Sequence, residues 1–205
     1  MVYASSSRVT TSSLPTVKAL GGHGKESTCR TANSDILGWI IRRVTGRALA
    51  DAVFQMLCQP MGAEDEGDYT IDSCAIELAG GGFNATLRDM ARNGELIRRR
   101  GSFGGQQIIP ESVITDLHRG ADPAQFVANG PPTLRGWSYR NMWWVSHHVS
   151  QAIMARGIHG QNIYIDPRAE IVIARFASHP VAANMVNDVY ALAAYEAMAD
   201  HLRNT

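Results

Sequence analysis

Residues 161–174 constrain the fold more than any other part of this chain. Gln161-Asn-Ile-Tyr-Ile165 is a β-branched and aromatic run, Asp166-Pro-Arg-Ala169 has turn chemistry, and Ile171-Val-Ile-Ala174 is a second β-branched run. Together they predict an antiparallel hairpin. Ile163, Ile165, Ile171 and Ile173 alternate with Tyr164, Val172 and Ala174, so both of its faces are apolar. Such a hairpin must be covered on both sides. Gly157 and Gly160 precede it, where the missing Cβ lets another strand or a bound molecule come close.

The rest of the chain supplies the cover. Ile36, Leu37, Ile40, Ile41 and Val44 recur at helical spacing, with Asn33 or Ser34 as cap and Gly46 as stop. Residues 48–57 predict a second short helix, ended before Pro60. Tyr69-Thr-Ile-Asp72 reads as a strand. Thr86-Leu-Arg-Asp89 is a capping box with Asp in place of Glu, opening a helix to about Arg99. Residues 104–110 form a hairpin-like approach to a helix over 111–118. Residues 137–146 and 152–156 read as strands around the main hairpin, and the alanine-rich 184–203 as the terminal helix. Helices, then antiparallel strands, then a helix give an α+β domain. Residues 1–28, rich in Ser, Thr and Gly without a sustained period, predict a loose lead-in, which leaves 29–205 as the folded unit.

Composition excludes several functions. With 19 basic and 19 acidic residues the net charge is zero, so no face for nucleic acid is expected. Arg98-Arg-Arg100 reads as a solvated helix end. No apolar run approaches the ~20 residues that span a bilayer, and no secretory leader is visible, so the expectation is a cytoplasmic protein without membrane contact. Cys29, Cys58 and Cys74 are odd in number and form no C-x-x-C, suggesting neither a disulfide framework nor a zinc ribbon. His147-His148 has no third ligand at suitable spacing, so no metal is expected. Gly80-Gly-Gly82 lacks the Gly-Lys-Ser/Thr of a phosphate loop and reads as helix-start geometry.

Three blocks carry a family resemblance. They are Thr31-Ala-Asn-Ser-Asp-Ile-Leu-Gly-Trp-Ile-Ile-Arg-Arg-Val-Thr-Gly46, Gly80-Gly-Gly-Phe-Asn-Ala-Thr-Leu-Arg-Asp-Met-Ala-Arg92, and Arg156-Gly-Ile-His-Gly-Gln161 running into the hairpin. In this order they resemble the later part of the penicillin-recognising serine hydrolases: serine β-lactamases, DD-peptidases and related esterases. The Gly-Ile-His-Gly-Gln form is most similar to the 6-aminohexanoate-dimer hydrolase branch. The resemblance implies a partial β-lactamase-like fold, an antiparallel sheet with packed helices. It also implies hydrolysis of a small amide or ester substrate through an acyl-serine, without metal or organic cofactor.

The site residues follow from the same resemblance. Family members use a serine and a lysine in Ser-x-x-Lys, a tyrosine that relays protons, and two backbone N–H groups that hold the oxyanion. Here the lysines are Lys18 and Lys25, preceded three residues earlier by Pro15 and Gly22, so Ser-x-x-Lys is missing. The tyrosine position falls on Cys29, whose thiol is too short to take over, with Thr31 as the hydroxyl that follows. Gly157-Ile158-His159 falls where the Lys/His-Thr/Ser-Gly signature lies, which implies an oxyanion N–H from an edge strand, at Ile158. His159 or Gln161 would then face the substrate, with Gly157, Gly160, Gln161 and Trp143 as binding residues. Without the family, His159 is a histidine satisfying backbone groups, and Trp137, Tyr139, Trp143 and Trp144 are core packing. Cys29 could alternatively pair with His23 as thiolate and base. The expectation is a truncated or divergent relative, inactive alone and prone to self-association. The alternative is a non-catalytic binding module that keeps the cleft.

Overall fold

The computed structural model describes residues 30–127 and 131–205, with Lys18, Gly22 and Lys25 besides. Cys29, His23 and nearly all of the lead-in lie outside the described residues. Helix α1 (Thr31–Thr45) is followed by α2 (Leu49–Val53), which relaxes into a π-helical turn over Phe54–Cys58. A two-stranded ribbon of β1 (Asp68–Tyr69) and β2 (Phe83–Asn84) leads to α3 (Leu87–Arg98). A second ribbon, β3 (Ser102–Phe103) with β4 (Gln106–Gln107), leads to α4 (Glu111–Arg119) and the single turn α5 (Ala124–Val127). Strands β5 (Trp137–Arg140), β6 (Trp143–Ser146), β7 (Ile153–Arg156), β8 (Asn162–Asp166) and β9 (Ile171–Arg175) follow, and α6 (Met185–Arg203) ends the chain.

Strands β5 to β9 form one antiparallel sheet in sequence order. The expected single strand over 137–146 is two, because Asn141 and Met142 both take positive φ and reverse the chain between β5 and β6. The main hairpin pairs Asn162 with Arg175 and Asp166 with Ile171, leaving Pro167–Glu170 as its loop. Asp166 is fully buried there. Its carboxylate accepts the Arg168 and Ala169 N–H groups at 2.9 Å and the Arg203 guanidinium at 2.5 Å.

The register sorts the sheet into two apolar faces. Tyr139, Trp144, Met154, Tyr164 and Ile173 stand in one row across the strands, and α6 covers them with Leu192 and Tyr195. Val145, Ile153, Ile165 and Val172 form the opposite row, covered by Ile97 of α3 and by Ile114 and Leu117 of α4. Both faces of the hairpin are therefore buried, each large side chain contributing about 1.5–3 kcal/mol. Helix α3 can lie close to β8 and β9 because Gly94 faces them: a Cβ there would stand 2.5 Å from Val172 Cγ1.

Several local expectations are corrected. Helix α1 starts at Thr31 with Arg30 at its cap position, so Asn33 and Ser34 lie inside the first turn rather than capping it. Asp35 is used in tertiary contact instead, accepting the Gly80 N–H at 2.9 Å. A Cβ on Gly80 would come within 2.3 Å of Thr31 Cγ2, so this glycine serves the approach of α1 and not the start of α3. The apolar stripe of α1 does not enter a core of described residues: Leu37, Ile40, Ile41 and Val44 are exposed, Val44 at 81%. The capping box is half formed. Thr86 Oγ1 accepts the Asp89 N–H at 3.3 Å, but the Asp89 carboxylate turns to the Glu64 and Asp65 N–H groups and to Arg92. Arg98 and Arg99 pair with Glu95 and Arg100 with Glu111, as suits a solvated helix end.

Candidate functional site

The stretch Gly157–Gln161 is a tight turn between β7 and β8, in the middle of the sheet and not on an edge strand. The reason is topological: β5 and β6 continue the sheet beyond β7, and β8 and β9 continue it on the other side. Within the turn, hydrogen bonds account for almost every backbone group. The Gly157 N–H donates to the Gln161 carbonyl at 2.9 Å and the Gln161 N–H to the Ile158 carbonyl at 3.3 Å. The His159 N–H donates to the Ala182 carbonyl and the His159 carbonyl accepts the His179 N–H, both at 3.1 Å. Asn184 takes the Gly160 N–H at 2.8 Å and gives a bond to the Gly157 carbonyl at 2.7 Å. Asn162 Nδ2 donates to the Gly160 carbonyl at 3.2 Å.

All five carbonyls and four of the five N–H groups are thus engaged. The Ile158 N–H alone has no acceptor among the described residues, and Ile158 is exposed. A single solvent-facing N–H left free in a turn whose other backbone groups are engaged is a donor open to a bound group, and it is the feature that marks the site.

His159 adopts φ +59°. Its Nδ1 lies 2.6 Å from the His179 carbonyl. A carbonyl can only accept, so Nδ1 carries the proton and Nε2 is the ring nitrogen left without a partner among the described residues. His179 is held in turn by Arg175, whose guanidinium donates to its Nε2 at 2.8 Å. Gly160 has φ +91°, and a Cβ there would meet the His179 ring at 2.3 Å, so only glycine lets the two segments close. His159, Gln161, Ala177, Ser178, His179 and Pro180 line an open groove beside the turn.

Beneath the turn lies a buried ion pair that sequence reasoning missed. Arg156 Nη2 donates to Asp188 Oδ2 at 2.5 Å, with both side chains almost wholly buried. Thr133 Oγ1 donates to the same oxygen at 3.0 Å, and the guanidinium lies 5.7 Å from the Trp144 ring centroid. Asn184 was equally unforeseen as a site residue. The only signal was that asparagine stands at a helix start, and nothing in the sequence points its carboxamide at residues 24 to 27 positions away.

The other candidates separate. Gly157, Ile158, His159, Gly160 and Gln161 come together in one turn. Trp143 is half-buried and packs on the α3 and α4 face, whereas Trp137, Tyr139 and Trp144 pack on the α6 face. His147 Nε2 lies 2.8 Å from Ser138 Oγ, and both His147 and His148 are exposed. Among the described residues no group of three or more His, Cys, Asp or Glu side chains is placed to hold a metal ion, and no helix is long and apolar enough to cross a membrane. Cys58 is buried, and burial, with the Asp89 charge next, pushes its thiol up and away from reactivity.

No sequence-family model matches the chain. A curated 6-aminohexanoate-dimer hydrolase of Paenarthrobacter ureafaciens is 30% identical over 168 residues, 82% of this chain and 43% of that protein. A solved Bacillus anthracis structure assigned the same name is 35% identical, with a TM-score of 0.80 over 91% of this chain and 47% of its own. The chain is thus similar to 6-aminohexanoate-dimer hydrolases over 82–91% of its own length. A Bacteroides dorei structure assigned as a β-lactamase shares the fold at 17% identity, with a TM-score of 0.62 over 87% of this chain and 61% of that one. The chain spans less than half the length of the two more similar relatives.

Proposed function

We propose that this chain forms the oxyanion side of an acyl-transfer site, in which a small amide or ester is hydrolysed through an acyl-serine. The observation that carries the reading is the Ile158 N–H, free in a turn whose other backbone groups are engaged. Such a donor costs nothing to reorganise when charge develops on a carbonyl oxygen. His159 supports the same reading: Nδ1 is fixed on a backbone carbonyl, so Nε2 is available to exchange a proton or bind a polar substrate group. Gly157, Gly160 and Gln161 shape the wall, and no step calls for a metal or organic cofactor.

The same reading has the chain inactive by itself. It contains no Ser-x-x-Lys, since only Lys18 and Lys25 are lysines, and Cys29 stands at the position of the family tyrosine. With the serine, the lysine and the tyrosine of such a coupled unit all without a counterpart, rates fall by several orders of magnitude. Incubation with a fluorophosphonate, read by intact mass, should show no serine adduct; a stoichiometric one would refute this. An adduct on Cys29 would instead support a thiol nucleophile.

The oxyanion role has its own test. Ile158→Pro deletes the free N–H and breaks no hydrogen bond of the turn. Gly157 precedes it at φ −92°, ψ 175°, which proline tolerates in its neighbour. Combined with a family N-terminal segment that supplies Ser-x-x-Lys, the proline chain should hydrolyse an activated ester about 10²–10³-fold more slowly than the native chain, the usual effect of losing one oxyanion donor. Equal rates would remove Ile158 from the site.

A further inference from the structure

Asparagine at a helix N-cap ordinarily accepts a backbone N–H from the first turn of its own helix, and it is among the best residues for that task. Asn184 occupies the N-cap of α6, yet its side chain makes no capping bond. Its carboxamide points back at the turn instead. Oδ1 accepts the Gly160 N–H at 2.8 Å, and Nδ2 donates to the Gly157 carbonyl at 2.7 Å. One planar group therefore ties the first and fourth residues of the Gly157–Gln161 turn.

The consequence follows from peptide geometry. The Gly157 carbonyl and the Ile158 N–H belong to the same planar trans peptide, and they point in opposite directions. A donor that holds the carbonyl on one side aims the N–H to the other. The Gly160 bond holds the carboxamide in place, so the peptide cannot rotate without breaking the Gly157 contact. Asn184, whose helical backbone (φ −78°, ψ −10°) does not place its side chain to cap α6, thus controls the direction of the one N–H the turn leaves free.

We infer that Asn184 is a positioning residue, which sets the orientation of the Ile158 N–H by holding the Gly157 carbonyl. Its functional meaning rests on the oxyanion reading above; its structural action does not. Two substitutions divide its roles. Asn184→Ser keeps a small polar residue at the start of α6 but cannot reach the turn. Asn184→Asp keeps an acceptor for the Gly160 N–H and turns the Gly157 contact from attractive to repulsive, oxygen facing oxygen.

The experiment is amide NMR and hydrogen exchange on the 15N-labelled full chain. In Asn184→Ser, exchange at Gly160 should rise at least tenfold and the Ile158 amide resonance should move, while the rest of α6 and β8 keeps its protection. Asn184→Asp should leave Gly160 protected and still displace the Ile158 resonance. An Ile158 resonance unmoved in Asn184→Asp would overturn the proposal. So would an Asn184→Ser chain in which exchange rises as much throughout α6 and β8 as at Gly160, because that is what a merely structural residue does. If Asn184→Ser fails to fold, the Asn184→Asp comparison decides alone. Titration of the native chain with acetate separates the two claims. A shift of the Ile158 amide supports the oxyanion reading. No shift, with Ile158 displaced in Asn184→Asp, leaves the positioning role standing and removes the anion site.

Discussion

The Arg156–Asp188 pair offers the most direct test of how the site is supported. Asp188→Ala would leave the Arg156 guanidinium in place with its partner gone, in a position where the two side chains are 6% and 4% exposed. Its Nε already has no partner among the described residues, and the Thr133 hydroxyl would lose its acceptor as well. Removing one member of such a pair typically costs about 3–5 kcal/mol, because a buried charge is left uncompensated. Against a domain stability on the order of 5–15 kcal/mol, that is a large share. Replacing both partners by apolar residues of similar volume, Arg156→Met with Asp188→Leu, removes the charge and its desolvation together and should cost only about 1 kcal/mol. Urea unfolding with linear extrapolation measures the native chain and both variants. A single substitution costing under about 1 kcal/mol at unchanged slope would refute the argument. So would a double variant no more stable than Asp188→Ala, which would show that packing, not the buried charge, sets the cost.

Other consequences are equally measurable. Gly160→Ala places a methyl against the His179 ring at a positive φ, so it should destabilise the chain by about 2 kcal/mol or more and speed exchange across the turn; a neutral melt would contradict the close approach. Burial, and next the Arg100 charge, hold the His118 imidazole below its ordinary pKa. As pH falls below about 6.5 the unfolded chain binds a proton the folded one resists, so stability should fall there until pH passes the folded value, and His118→Asn should flatten that slope. The exposed apolar residues of α1, with Val186, Val189 and Tyr190 on α6 and the edge of β9, unpaired among the described residues, are aggregation liabilities. The isolated chain should bind a hydrophobic dye strongly or self-associate, and a monodisperse monomer with low dye binding by light scattering would argue against this.

Much of the scaffold was legible in the order of residues. β-Branched runs, a turn built on Asp166 and Pro167, and apolar residues at both strand parities were enough to specify a hairpin buried on two faces, because those signals act over a few neighbouring residues. The same holds for α3 behind Thr86 and for the alanine-rich α6. The glycines at 157 and 160 marked where backbone comes close, and the Gly-Ile-His-Gly-Gln block pointed to the family. What the sequence could not carry was anything that depends on direction across distance. Asn184 reads as a helix cap, and only packing α6 on the sheet turns its carboxamide onto Gly157 and Gly160. Arg156 and Asp188 look like ordinary surface charges until β7 and α6 close over them. The apolar stripe of α1 predicts burial but not by what, and among the described residues it remains exposed. Short-range periodicity determined the elements. The one free N–H at Ile158, and the side chains that aim it, exist only once segments from residue 156 to residue 188 are brought together.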